Sequence, residues 1–415
     1  VTIASWAAPN LPGLQGKGHQ LSLRDIHTHQ SRPVHAGEIA TIYACGITPY
    51  DATHLGHAAT YITLDLASRV LRDAGHQVRY VQNVTDIDDP LLERAARDGV
   101  DWRELATSEI GLFHTDMAAL RVLPPDHYVS VVESMPRQVA TIQGLVRKGV
   151  TYRVPTPDAA NPGDEDVYLD LSTQPTFGSE SGWSREQMLE VFADRGGDPD
   201  RVGKRDALDP LLWRVERAGE PAWEAGTLGR GRPGWHVECT TIALDFLGMG
   251  FDLQGGGTDL IFPHHEMSAV QAVALTDDPP FAHNYVHQAM VGYDGEKMSK
   301  SKGNLVRVSE LRARGVDPMA IRLVLLAQHY RTPWEYTEDL LTAALDRWDR
   351  WREALAGRGD DGADELIDGV RAALADDLDS AAALQLVDGW AAGAPDGTAS
   401  PRVADALDAL LGIRA

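Results

Sequence analysis

An α/β fold is what the sequence predicts: a parallel nucleotide-binding sheet, split by an insertion and followed by a helical domain. Three observations carry this. A β-branched run at Ile39–Ala44, a helical stretch and a second β run at Val78–Val81 make one strand–helix–strand unit, whose natural product is a parallel sheet. Regular α/β patterning weakens at Val150 and resumes at Gly234. From Ser309 onward the pattern is helical.

Residues 1–38 carry Pro and Gly at intervals and read as an irregular lead-in. After Ile39–Ala44 comes a turn rich in Gly46, Pro49 and Asp51. Helical spacing of Leu64, Leu66, Val70 and Leu71 then spans Ala58 to Ala74 and closes at Gly75. Residues 90–149 read as helix, with Leu112, Met117, Leu120, Val139, Ile142 and Leu145 on apolar faces. Between Val150 and Pro233, prolines and glycines predict an insertion of small strands and loop. Beyond it we expect a helix over Trp235–Leu247, a strand over Phe251–Gln254, a helix from His264 and a strand over His283–Gln288. The final helices have Leu340, Leu345, Trp348, Trp351 and Leu355 as their main apolar positions. No internal repeat or low-complexity tract is evident.

Composition narrows the function. The chain has 415 residues, 43% hydrophobic and 24% charged, which excludes wholesale disorder, collagen and coiled coil. Its length implies more than one core. No apolar run is long enough for a membrane helix, and Val1–Gly18 has no secretory pattern, so neither membrane nor leader is expected. The two cysteines, Cys45 and Cys239, lie far apart and fit a reducing cytoplasm. A net charge of −23 opposes non-specific nucleic-acid binding.

Two motifs carry phosphate chemistry. His54-Leu55-Gly56-His57 stands in the turn before the first helix, where free N–H groups and the helix dipole favour anions. Gly56 permits close backbone approach. Alone, this motif equally fits a pair of surface histidines. The second is Lys297-Met298-Ser299-Lys300-Ser301, continued by Lys302 and bounded by Gly295 and Gly303. Three lysines so close together, in so acidic a chain, suit the charge that develops on a leaving pyrophosphate. The pairing of the two motifs, in this order, makes an ordinary solvated loop a poor explanation.

HLGH and KMSKS on a split sheet resemble the two signatures of class I aminoacyl-tRNA synthetases, which activate a carboxylate with ATP. The resemblance implies a class I synthetase-type split Rossmann domain with a C-terminal helical domain. It divides the chain into a first half at 1–115, a connective insertion at 116–232, a second half with the basic loop at 233–305, and a helical stem and bundle at 306–415. It further implies that His54 and His57 contact phosphates, that Lys297 and especially Lys300 stabilise the transition state, and that Mg²⁺ accompanies ATP.

By spacing alone, Cys45, Cys239 and His264 could be two buried thiols and a histidine. Their surroundings, CGIT before HLGH, GRPGWHVEC and GGGTDLIFPHHE, resemble cysteinyl-tRNA synthetase. In that family these three residues bind zinc, with the substrate thiolate as a further ligand. Soft sulfur on zinc separates cysteine from serine better than a cavity does. One departure is Ser268, where the synthetase usually has a second zinc glutamate; three protein ligands and one open position are therefore expected. The same resemblance places Gly46, Ile47, Thr48 and Thr60 on the amino-acid and phosphate side of the adenylate. Asn83, Val84 and Thr85 stand at a strand end, and Trp235 walls the cysteine pocket. Gly257, Thr258 and Asp259 lie at the ribose, and Val291 at adenine. For each of these a turn or packing role is an equal alternative.

Within this superfamily the branch matters. Residues 360–415 hold 3 Arg, no Lys and 12 Asp/Glu, a net of −9 that would repel an anticodon stem. Thr48–Thr53 (TPYDAT), Arg195–Pro199 (RGGDP) and the missing second glutamate resemble the mycothiol-pathway cysteine ligases instead. That family implies ATP, L-cysteine and glucosaminyl-inositol as small-molecule substrates, no nucleic acid, and a monomer; cysteinyl-tRNA synthetase is the alternative. The ligases usually begin the insertion motif with Glu where this chain has Asp194.

Overall fold

The computed structural model describes residues 2–26, 28–51, 53–293, 295–297, 305–395 and 397–415. Ile39–Ala44 lies inside a six-stranded sheet. The strand order is Thr2–Ile3, His127–Ser130, Gln77–Val84, Ile39–Ala44, Phe251–Gly257 and Ala282–Gln288. The last five are parallel, and Thr2–Ile3 pairs antiparallel with His127–Ser130. Parallel strands covered on both faces are expected to be apolar; Ile39–Ala44 follows this, whereas the other parallel strands carry buried polar residues such as Gln82, Asn83, Gln254, His287 and Gln288. Ala40, Ile42 and Ala44 enter one core with the helix Leu55–Asp73, while Tyr43 and Cys45 enter another with Cys239, Ile242 and Ala243. That alternation is the two-residue period of a strand.

The chain builds outward from Ile39–Ala44 on one side, then returns to its other side with Phe251–Gly257. This reversal is a topological switch point, where open α/β sheets leave a crevice beyond the strand ends. Gly255 lets the sheet approach the helix Leu55–Asp73 there; a Cβ would fall 2.2 Å from Leu64.

Several sequence expectations need correction. The first helix begins at Leu55 rather than Ala58, because His54 caps it and apolar spacing does not register a cap. The lead-in is not wholly irregular: Thr2–Ile3 joins the sheet edge, and Ser22–Arg24 pairs with Ser31–Pro33. Residues 90–149 are not all helix. Helices Asp89–Asp98 and Trp102–Ala119 are followed by the strand His127–Ser130, then the helix Val131–Arg147. Four residues running straight into a helix give little periodicity, and it is pairing with Gln77–Val84 that makes them a strand. The strand expected to end at Gln254 continues through three glycines to Gly257.

The insertion is more regular than its composition suggests. Thr151–Pro155, Glu165–Leu169, Leu211–Val215 and Gly231–Pro233 form an antiparallel sheet around Trp213, with the short helix Arg185–Phe192 closed by a Ser184–Gln187 capping box. After residue 305 helices dominate, but Trp334–Glu335 is a short strand paired with Val291–Tyr293. Trp348, Trp351 and Leu355 are buried as expected, whereas Leu340 and Leu345 are only partly covered.

A buried ionic junction binds the helix Leu55–Asp73 to these helices. Arg69 Nε donates to Asp65 at 2.8 Å, and Arg322 also pairs with Asp65. Arg322 donates to the carbonyls of Leu120 (2.7 Å) and Leu411 (2.6 Å), and Arg69 to that of Asp408 at 2.7 Å. All three side chains are fully buried.

Candidate active site at the switch point

Beyond Ala44 the chain passes directly over the neighbouring strand. Gly46 has no room for a side chain, since a Cβ would lie 1.6 Å from the carbonyl oxygen of Asn83. Asn83 Oδ1 accepts from the Gly46 N–H (2.8 Å) and the Tyr43 hydroxyl (3.2 Å), and its amide donates to Thr85 Oγ1 at 3.1 Å. The Thr85 N–H donates to the Ile47 carbonyl at 3.0 Å. Gly46 and Ile47 are thus brought against Asn83 and Thr85, while the Thr48 hydroxyl donates to Asp88 at 3.5 Å.

At the deep end of this crevice, ligand atoms of Cys45, Cys239 and His264 lie within 4.8 Å of one another, and all three residues are buried. Cys45 is held by its N–H to the Gly255 carbonyl (3.1 Å) and by the Gln254 amide to its sulfur (3.3 Å). Cys239 sits in the first turns of the helix Trp235–Phe246, its sulfur 3.5 Å from Asn83 Oδ1. His264 Nδ1 is 3.0 Å from His236 Nδ1, whereas its Nε2 is buried with no hydrogen-bond partner among the described residues. Trp235 stacks on the His264 ring at 4.3 Å.

Burial pushes the Cys45 thiol well up, as does neighbouring Cys239. Burial also raises Cys239, but the Cys45 thiol and the His264 ring outweigh it and bring Cys239 well below the usual thiol range. Two soft sulfurs, one favoured as thiolate, and an imidazole with an orphaned nitrogen fit a zinc ion with one position open. Ser268 takes no part: its hydroxyl donates to the His236 carbonyl at 3.3 Å.

At the outer end, His54 Nδ1 accepts from the N–H groups of Gly56 (3.1 Å) and His57 (3.4 Å). The His54 and His57 rings stack 3.8 Å apart. Thr60 donates to the Gly56 carbonyl at 3.2 Å. One nitrogen of His54 therefore builds the helix end, so a phosphate contact would have to come from Nε2. Gly257 ends its strand and Thr258–Leu260 forms a single turn beside it. Val291, buried, opens the strand Val291–Tyr293.

Of the basic loop, Lys300 lies outside the described residues. Lys297 ends the strand Glu296–Lys297, opposite Gly292. Downstream, Arg307 forms a bridge with His54, Leu55 N–H reaches the Val306 carbonyl (2.9 Å) and Val308 N–H the Thr53 carbonyl (3.0 Å). The chain leaving the lysine run is thereby stitched to the histidine motif.

Sequence reasoning missed a second histidine layer. His265 Nε2 lies 3.3 Å from Cys45 Sγ, and its Nδ1 is 2.8 Å from His287 Nε2. Burial holds His236 and His265 well below the usual imidazole range, and adjacent imidazoles push the same way. The adjacent HHE run was the available signal for His265 and the GWHVEC run for His236; nothing local marks His287.

The family model for the catalytic domain of class I (C) tRNA synthetases matches residues 30–346. A protein of Kytococcus sedentarius, an L-cysteine:1D-myo-inositol 2-amino-2-deoxy-alpha-D-glucopyranoside ligase, is 58% identical, with 99% of each chain covered. Proteins of the same name from Geodermatophilus obscurus and Streptomyces griseus are 56% and 54% identical, over 99% of this chain and 98% and 99% of theirs. Among solved structures, Mycobacterium tuberculosis methionyl-tRNA synthetase in complex with methionyl-adenylate superposes with a TM-score of 0.59 at 16% identity, over 85% of this chain and 81% of that one. At that identity the likeness speaks for the fold.

Proposed function

Since the chain belongs to the L-cysteine:1D-myo-inositol 2-amino-2-deoxy-alpha-D-glucopyranoside ligase family, within the class I (C) synthetase catalytic-domain family, we propose that it joins L-cysteine to the amine of glucosaminyl-inositol in mycothiol biosynthesis, with ATP consumed and AMP and pyrophosphate released. The observation that carries this reading is the buried cluster of Cys45, Cys239 and His264 at the switch point, with the stacked His54 and His57 on the first helix and the strand-end glycine turn at Gly257.

We assign Cys45, Cys239 and His264 to one zinc ion, which when bound would take the substrate thiol at its open position and favour cysteine over serine. Trp235 walls that pocket. Gly46, Ile47, Thr48, Thr60, Asn83, Val84 and Thr85 line the path from sulfur to carboxylate. Gly257, Thr258 and Asp259 orient the ribose, and Val291 meets adenine. His54 and His57 hold the triphosphate of Mg²⁺–ATP at the helix end, while Lys297 and Lys300 neutralise the departing pyrophosphate.

The cysteinyl-adenylate then meets the acceptor. The neutral amine attacks the acyl carbon, the new C–N bond forms as the bond to AMP breaks, and the amine releases a proton. A glucosamine amine is less basic than lysine, so orientation supplies most of this step. We further propose a monomer working in the cytoplasm without nucleic acid, organised as 1–115, 116–232, 233–305 and 306–415. Among the described residues no helix is long and apolar enough to cross a membrane.

The test supplies ATP and cysteine with either glucosaminyl-inositol or tRNA and measures AMP. Release with the amino-sugar is expected. Turnover with tRNA alone would return the chain to cysteinyl-tRNA synthetase.

A further inference from the structure

We propose that Arg195 is a positioning residue, reaching from the insertion to set the turn that joins the two ends of the active site. This rests on the ligase reading above. The segment runs from Gly257, through Thr258 and Asp259, to His264. Its start is assigned to ribose and its end to zinc, so its shape fixes the distance between nucleotide and sulfur.

One guanidinium nitrogen, Arg195 Nη1, donates to two carbonyls of this segment, Asp259 at 3.0 Å and Phe262 at 2.6 Å. Hydrogen bonds from a charged donor are about twice as strong as neutral ones. The guanidinium also lies over the Trp183 ring at 5.5 Å. The residues that follow fit this placement. Gly196 has φ 84° and lies against Trp235, where a Cβ would be 3.9 Å from the indole. Gly197 has no space for a side chain, since a Cβ would lie 2.6 Å from the Phe192 ring. Asp198 anchors the far end, accepting from Lys204 Nζ at 2.8 Å and from the Tyr168 hydroxyl.

A second latch holds the same segment from its other end. The fully buried Glu266 carboxylate accepts from the backbone N–H groups of Gly178 (2.7 Å), Glu180 (3.1 Å) and Ser181 (2.7 Å), all in the insertion. The insertion therefore grips residues 259–266 at both ends, and RGGDP supplies the grip nearer the ribose. Arg195 acts through Asp259 and His264 without touching the reacting atoms.

Two variants of the full chain test this by cysteine-dependent exchange of pyrophosphate into ATP. Arg195→Met keeps the length and apolar character of the stem but removes the nitrogen that donates to both carbonyls; Arg195→Lys keeps a charged donor. For Arg195→Met we expect the KM values for ATP and cysteine to rise together by about tenfold, with the thermal midpoint close to wild type. Arg195→Lys should recover most of that loss, and added guanidinium ion should partly restore Arg195→Met. A fall in thermal midpoint with both KM values unmoved would reduce Arg195 to a structural contact and overturn the proposal. If Arg195→Met does not fold, Arg195→Gln, shorter and uncharged, carries the test, and KM values for ATP and cysteine unchanged in it also overturn the proposal. Exchange in wild type without any KM shift in the variants refutes the positioning role alone. No exchange in wild type refutes the ligase reading, and the proposal with it.

Discussion

Cys239 shows how much one residue's surroundings decide. It stands among apolar neighbours, yet Cys45 and His264 beside it favour the thiolate despite burial. Cys239→Ser removes a soft ligand, so zinc content should fall from about one per chain and discrimination against serine should weaken. Cobalt substitution gives a readout independent of turnover: the thiolate-to-cobalt absorption should weaken in the variant. Asp88 offers a test by pH. Burial above all raises its carboxyl to about 6, although its own backbone cap bond from Asp89 opposes this. The folded value exceeds the unfolded one of about 3.9, so the folded state holds the proton more tightly. Its contribution to stability is present below about pH 4 and is lost as pH rises through 6. Asp88→Asn keeps the helix cap and should gain about 1–2 kcal/mol at pH 7.5 and nothing at pH 4, read from urea unfolding at both pH values. The carboxylate Asp65 has the opposite sign: burial raises it, but Arg69 and Arg322 outweigh burial and hold it low.

Elements inherit these local decisions. The strand Ile39–Ala44 was legible because every side chain is apolar or β-branched, and all but Ile39 are at least partly covered. His127–Ser130 was not, since its strand character comes from its neighbour's hydrogen bonds. The start of the helix Leu55–Asp73 depends on the His54 ring, which a hydrophobic pattern does not see. Between elements, the Asp65–Arg69–Arg322 junction does what apolar packing does elsewhere, but with less tolerance. Arg322→Met would leave the buried Asp65 with Arg69 as its one charged partner, beside the Leu123 N–H, and free the Leu120 and Leu411 carbonyls. A loss of about 3–5 kcal/mol is expected, measured by the urea midpoint at unchanged slope. A loss below about 1 kcal/mol would mean that water replaces the guanidinium there.

At the scale of the molecule, charge separates the two readings of the acceptor. The acidic helices after residue 360 do not obstruct a small amino-sugar, whereas they disfavour a polyphosphate backbone. Acceptor turnover should therefore vary little between low and moderate salt, because no counterion release accompanies binding. A steep fall in acceptor affinity with salt would favour nucleic acid. Legible from sequence alone were the split parallel sheet, the insertion, the helical end and the HLGH and KMSKS runs. All of these are local: apolar periodicity, breakers and short runs of residues keep their meaning without a partner in space. Tertiary structure decided what depends on distance. It brought Cys45, Cys239 and His264 within 4.8 Å across more than half the chain, added His236, His265 and His287 around them, and turned Ser268 away to a backbone carbonyl. It also gave RGGDP a target, two carbonyls in another part of the fold. Such contacts follow from strand order and from which helix covers which face, and neither is encoded in residues adjacent in sequence.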